Sequence, residues 1–267
     1  VNTFNSGPAN ILHIYLNTLY EPLQDVRVRQ AIQHSIDPRG LRALFDDWNP
    51  IAQSIFLPWM LGFDTNLKGW KPQDYAKAKN FLAESGYKDG FDLNVAPDSR
   101  DENALVGAAL GPMIAKTGID ARVSITQVTE WSTVTSDREQ TSLHVYPLTL
   151  GYRAESIDFF DFWFRAKFRR LRSSMEIPFL HGTFDPRVRQ RGPPDFGFLG
   201  KISREPDETE RAKLYKEAAT YVIDEALMVL PTYFTRTAAM RSRVANWDKG
   251  PVWPGNGNYN AYRTTVA

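Results

Sequence analysis

The stretch Gly151 to Phe164, GYRAESIDFFDFWF, gathers carboxylates and aromatic rings in one short run. Glu155, Asp158 and Asp161 could supply a pair of carboxylates flanking a sugar bond, which is all that glycoside hydrolysis requires. A carbohydrate-active hydrolase using a pair among Glu155, Asp158 and Asp161 is therefore one chemistry the residue types allow. Almost any chain has such a trio, and other enzyme scaffolds are missing: there is no G-x-S-x-G elbow, no H-E-x-x-H and no G-x-x-x-x-G-K-[ST]. No activated nucleophile is visible. His13 and His144 read as structural histidines, because no second His or carboxylate stands at chelating spacing, and His181 reads as exposed. With no Cys in the sequence there are no disulfides, thiolate nucleophiles or cysteine metal sites. Neither a cofactor nor a metal is expected.

The elements that would carry such residues are legible from periodicity. In PLQDVRVRQAIQHSIDPRGL, Pro22 to Leu41, small or apolar side chains recur from Val28 at three- and four-residue steps, which buries one helix face and leaves Arg27, Arg29, Gln30 and Gln33 wet. Asp25 can cap this helix. Pro38 marks a break before a second short helix at Arg39 to Phe45. Ile11 to Leu16 reads as a buried strand after a polar start, and Asp46 to Lys71 as an ordered loop packed by its aromatics. Gln73 to Ser85 is a helix ending at Gly86, and Asn103 to Thr117 a second ending at Gly118. Phe91 to Ala96, Ala121 to Val128 and Leu143 to Leu150 alternate as strands should, and Trp131 to Gln140 suggests a short helix between the last two. Strand, helix, strand implies a right-handed crossover between parallel neighbours, so the class is α/β. Arg165 to Arg191 is basic but broken by Pro and Gly, and reads as a long surface loop. Thr209 to Leu227 is the last long helix, capped by Asp207 or Thr209, followed by a strand at Val229 to Phe234 and a loop-rich tail from Arg236.

Several of these stretches resemble one family. The segment from Pro22 to Leu41 is similar to the "pl.D.rVRqAi..aiDr..l" motif of extracellular solute-binding proteins of ABC importers, the oligopeptide- and dipeptide-binding family. AQSIFLPWMLG (Ala52 to Gly62), DYAKAKNFLAESGYKDGF (Asp74 to Phe91) and DETERAKLYKEAATYVIDEALMVLP (Asp207 to Pro231) resemble three further motifs of it, in the same order. The resemblance runs from about Ile11 to Arg243 and is weak between Arg165 and Phe198.

What the resemblance implies is a C-terminal lobe of a two-lobe, type II periplasmic-binding-protein-like fold, a mixed sheet flanked by helices. Residues 1–14 would belong to an absent N-terminal lobe with its hinge, 15–232 to the C-terminal ligand-binding lobe, and 233–267 to the return segment. The function implied is capture of peptides or similar small solutes outside the cytoplasmic membrane, in the periplasm or at the cell surface, for a membrane permease. Family members also take nickel complexes, haem, sugars and opines. A strand end of the form "GW..D" places an aromatic and a carboxylate in the family's ligand cleft, and Tyr152 and Glu155 occupy those positions, with Arg153 between them. Glu155 would meet the free amino group of a peptide, since a buried ammonium needs an opposite charge nearby. Trp131 would be a cleft wall, and Arg138 resembles the family's cleft arginine.

Composition agrees. Lys plus Arg number 32 and Asp plus Glu 31, a net charge of +1 that supplies no field to gather nucleic acid. No apolar run approaches the ~20 residues needed to cross a bilayer. Val1 does not begin a signal peptide, so a mature or cut chain is expected.

Overall fold

Alternation along one long strand divides the molecule into two cores. In β1 (Asn2–Leu16), Leu12, Ile14 and Leu16 belong to one buried cluster, and Ile11 and Tyr15 to another on the opposite face, because successive strand residues point to opposite sides. The structure, a computed structural model, describes residues 2–18, 20–45, 49–130, 144–151, 197–241, 244–245 and 265–266.

The chain then lays down α1 (Val26–Ser35), α2 (Pro38–Arg42), α3 (Tyr75–Glu84), β2 (Asp92–Val95), α4 (Asp101–Ala115), β3 (Asp120–Val123) and β4 (Val145–Gly151). After α5 (Gly197–Arg204) and α6 (Glu208–Asp224) come β5 (Met228–Val229) and β6 (Tyr233–Met240), while β7 (Val244–Ala245) and β8 (Thr265–Val266) pair separately. The main sheet has the order β3-β2-β4-β1-β5, with β6 also on β1. Strands β2, β3 and β4 run parallel to one another and β1 antiparallel to β4. Helices cover both faces: Ile32 of α1, Leu82 of α3 and Leu110 of α4 share a core with Leu12 and Ile14, while Tyr215 and Val222 of α6 share one with Ile11 and Tyr15. This is the α/β class expected.

Helix starts follow the sequence. The carboxylates of Asp25, Asp37, Asp74 and Asp207 accept the backbone N–H groups of Arg27, Arg39, Lys77 and Glu210, each satisfying a donor that the first turn leaves free. Gly86 follows α3 at φ +88°, the left-handed conformation that closes a helix cheaply only for glycine. The loop from Ile51 to Trp70 is ordered, as its aromatics suggest. Trp70 Nε1 donates to Ala52 O at 2.7 Å, and the buried Tyr233 hydroxyl accepts from Ser54 N at 2.9 Å and donates to Phe56 O at 2.7 Å.

Four expectations need correction. Arg29 and Gln33 are buried, at 4% and 1% exposure, where the helix period had them wet. Arg29 stays charged inside because it donates to the carbonyls of Leu23, Gln24 and Glu225 and pairs with the Glu225 carboxylate at 3.0 Å, the compensation that burial of an ion demands. Strand β1 begins at Asn2 rather than Ile11, since β6 pairs with it back to that residue. The strand expected at Val229 to Phe234 is two elements, β5 and β6, and β6 extends to Met240 into the segment read as loop. The strand after α4 stops at Val123, short of Val128. The helix expected at Trp131 to Gln140 and the basic loop at Arg165 to Arg191 lie outside the described residues.

Candidate functional site

The sheet has one edge where binding chemistry can gather. From β2 the chain passes through α4 to β3 on one side, then returns to β4 on the other, so the strand order reverses between β2 and β4. In open α/β sheets the carboxyl ends of strands at such a point form the ligand crevice, since the two loops leave in opposite directions. Here the carboxyl end of β2 is Val95, which pairs with Val145 at the start of β4, followed by the turn to Asp98, and β4 runs six residues further to end at Gly151. Gly151 stands opposite Asn10 of β1, and Asn10 also pairs with Phe234 of β6. Beyond that level β1 and β6 continue together to Asn2 and Met240.

The end of β2 is built around a buried acid that sequence reasoning missed. Asp98, 1% exposed, accepts from the backbone N and Nε of Arg100 at 3.0 and 3.0 to 3.1 Å, from its terminal guanidinium nitrogen, and from Asn103 Nδ2 at 3.0 Å. Burial works to raise the Asp98 pKa, but the hydrogen bonds of Arg100 and Asn103 outweigh it and hold the carboxyl below its ordinary value. The network fixes the turn from β2 into α4. A side chain on Gly107 would meet Pro97 at 2.4 Å, so α4 can approach this turn only with glycine there. The run DSRDEN after an alternating strand was the available signal, a short acid with an arginine two residues on.

The other side of this edge is apolar. Leu105 of α4, Val123 at the end of β3, and Ile125 and Val128 just beyond it are exposed, Ile125 by 56%. Ser99 Oγ accepts the Val128 N–H at 3.2 Å, and Thr126 N donates to Pro97 O at 2.9 Å, tying the two strand ends together.

Of the residues singled out from sequence, Trp131, Arg138, Tyr152, Arg153, Glu155, Asp158 and Asp161 all lie outside the described residues. What is described is the strand that leads to Tyr152, Arg153, Glu155, Asp158 and Asp161, since β4 ends at Gly151, one residue before Tyr152. Among the described residues no group of three or more His, Asp or Glu could hold a metal ion. No described helix is long and apolar enough to cross a membrane. His13 is fully buried, His144 stacks on Tyr20 with ring centroids 3.6 Å apart, and His181 lies outside the described residues.

A mixed, doubly covered sheet with a reversal point, and with β1 and β6 paired beyond the end of β4, is a lobe of the type II periplasmic-binding-protein fold. A solved periplasmic binding protein, DppA from Helicobacter pylori in complex with the peptide STSA, superposes with a TM-score of 0.77 at 19% identity, over 99% of this chain and 48% of that one. Residues 1–166 match the bacterial extracellular solute-binding proteins, family 5 Middle, and the chain belongs to that family. It is 24% identical to the dipeptide-binding protein of Escherichia coli K12 over 94% of this chain and 45% of that protein. It is 27% identical to the oligopeptide-binding protein OppA of Bacillus subtilis 168 over 95% and 45%. The chain spans about half the length of these curated relatives.

Proposed function

We propose that this chain is the ligand-binding lobe of an extracellular solute-binding protein that captures peptides and delivers them to the permease of an ABC importer. The observation that carries the reading is the position of β4, which starts beside the carboxyl end of β2 where the strand order reverses and ends at Gly151, after which the sequence continues as Tyr152, Arg153 and Glu155. Family membership supports extracellular capture, and the names of the relatives, dipeptide- and oligopeptide-binding proteins, support peptide as the solute class. The lobe binds and does not catalyse. Residues 1–14 and 233–267 lead to a second lobe, and closure of the two encloses the ligand.

Recognition would combine main-chain hydrogen bonds to the extended peptide, aromatic walls at Tyr152 and Trp131, Glu155 for the amino terminus and Arg138 for a carboxylate. Calorimetric titration of the protein and its Glu155→Gln variant with a tripeptide and its N-acetylated form tests this. A charge-assisted hydrogen bond is worth about 1.5–3 kcal/mol, so the variant should lose roughly ten- to a hundredfold in affinity for the free-amino peptide and little for the acetylated one. Equal losses for both would remove Glu155 from that role. Turnover of chromogenic glycosides, abolished by the same substitution, would overturn the binding reading in favour of a hydrolase.

A further inference from the structure

At the opposite end of β4 from Gly151, the strand is fastened by an imidazole. Within the described residues the register between β2 and β4 is Val95 opposite Val145, and Ala96 N donates to Val145 O at 2.8 Å. The next N–H along β2, that of Asn94, donates at 2.9 Å to Nδ1 of His144. The peptide link of the same residue is held as well, since Asn17 N donates to His144 O at 2.9 Å where β1 ends. Tyr20 stacks flat on the ring, 7° from parallel, and its hydroxyl donates to Asp92 O at 2.5 Å. Ser124 Oγ donates to Asn94 Oδ1 at 2.7 Å, which secures the residue whose N–H the ring receives. His144 thus ties the start of β4 to β2 through its ring, and to the segment just after β1 through its carbonyl and the Tyr20 stack.

A backbone N–H can only donate, so Nδ1 must carry a lone pair, and the neutral ring must hold its proton on Nε2. Protonation would place an N–H against an N–H. We propose that His144 is a pH-gated positioning residue: neutral, it latches the start of β4 to β2 and so sets the strand that ends at Gly151; protonated, it releases that latch. Among the described residues, the charged groups on the packed elements are Glu21, Asp92, Asp120 and Arg122. Glu21 accepts from the Tyr87 hydroxyl at 2.8 Å, and Arg122 binds Asp120 at 2.5 Å and Asp92 at 3.4 Å. These carboxylates favour an imidazolium, but Asp92 and Asp120 are exposed, shared with Arg122 and screened by water. The N–H to Nδ1 contact is direct and loses its acceptor outright.

The sign follows from linkage. The unfolded histidine takes up a proton near pH 6.5, while the latched one must stay neutral, so stability rises with pH through that window and falls on acidification. His34 acts in the same direction, because burial lowers its pKa. The diagnostic quantity is therefore the difference between the protein and its His144→Asn variant, whose side-chain oxygen can accept from Asn94 without titrating. Urea unfolding from pH 7.5 to 5.5 should show a fall in midpoint that is smaller in the variant. Identical pH dependence would overturn the latch. If the variant does not fold, nitrogen-detected NMR of the unsubstituted protein at pH 7.5 decides alone: an unprotonated Nδ1 on His144 is expected, and a proton there would overturn it. The latch itself does not depend on the transport reading, but its effect on ligand grip does. Peptide affinity should drop on acidification more in the unsubstituted protein than in His144→Asn. Failure of peptides to bind either protein at any pH would count against the proposed function, while the unfolding result would still decide the latch.

Discussion

Asp98 shows how one buried side chain can fix the shape of a turn. Its carboxylate takes the Arg100 guanidinium, the Arg100 N–H and the Asn103 amide, all from the first turns of α4 or just before it. Replacing it with Asn removes the charge and sets one amide donor against others, which should cost about 2 kcal/mol by the worth of hydrogen bonds to charged groups. Its lowered pKa gives a second signature. The stabilisation is fully present above the unfolded value of about 3.9 and is lost as pH falls through the lower folded value, so it should disappear in strong acid. Urea unfolding at pH 7 and pH 3 checks both: Asp98→Asn should be less stable at pH 7 and lose less between the two. The residue was not singled out from sequence because its partners are close in the chain and charged, a pattern that ordinarily marks a solvated turn.

Between elements, Arg29 ties α1 to the residue that caps the end of α6. It reaches the Glu225 carbonyl and carboxylate on one side and the carbonyls of Leu23 and Gln24 on the other. Arg29→Ala should cost about 3 kcal/mol, the scale of breaking a buried pair, and Arg29→Lys should restore little, because a single ammonium cannot span that fork of acceptors. The midpoint of urea denaturation measures both variants. Helices were legible in this chain because the 3.6-residue repeat and the caps at Asp25, Asp37, Asp74 and Asp207 are local signals. The burial of Arg29 was not, since Glu225 lies far along the chain. The first half of β1 was hidden for the same reason. NTFNSGPA is polar and contains Gly7 at φ +72° and Pro8, yet it pairs with β6 through an irregular register between Asn5 and Asn10. Only the distant partner makes it a strand.

On the scale of the whole molecule, β1 and β6 are the two strands that continue past the level where β4 ends. In a two-lobe binding protein the chain must cross between lobes at such a place, and this ribbon is where we place both crossings. The candidate site was legible only in part. The four motifs led to the family and the strand pattern to the edge, but the assignments to Tyr152, Glu155, Arg138 and Trp131 rest on resemblance. The central claim is that the protein holds a peptide, and native mass spectrometry followed by denaturing mass measurement of the purified protein tests it most directly. The account predicts a native mass above that of the polypeptide by a heterogeneous small component, released on denaturation and fragmenting as peptides. A native mass equal to that of the polypeptide after incubation with a peptide mixture, or a released solute that is not a peptide, would contradict it.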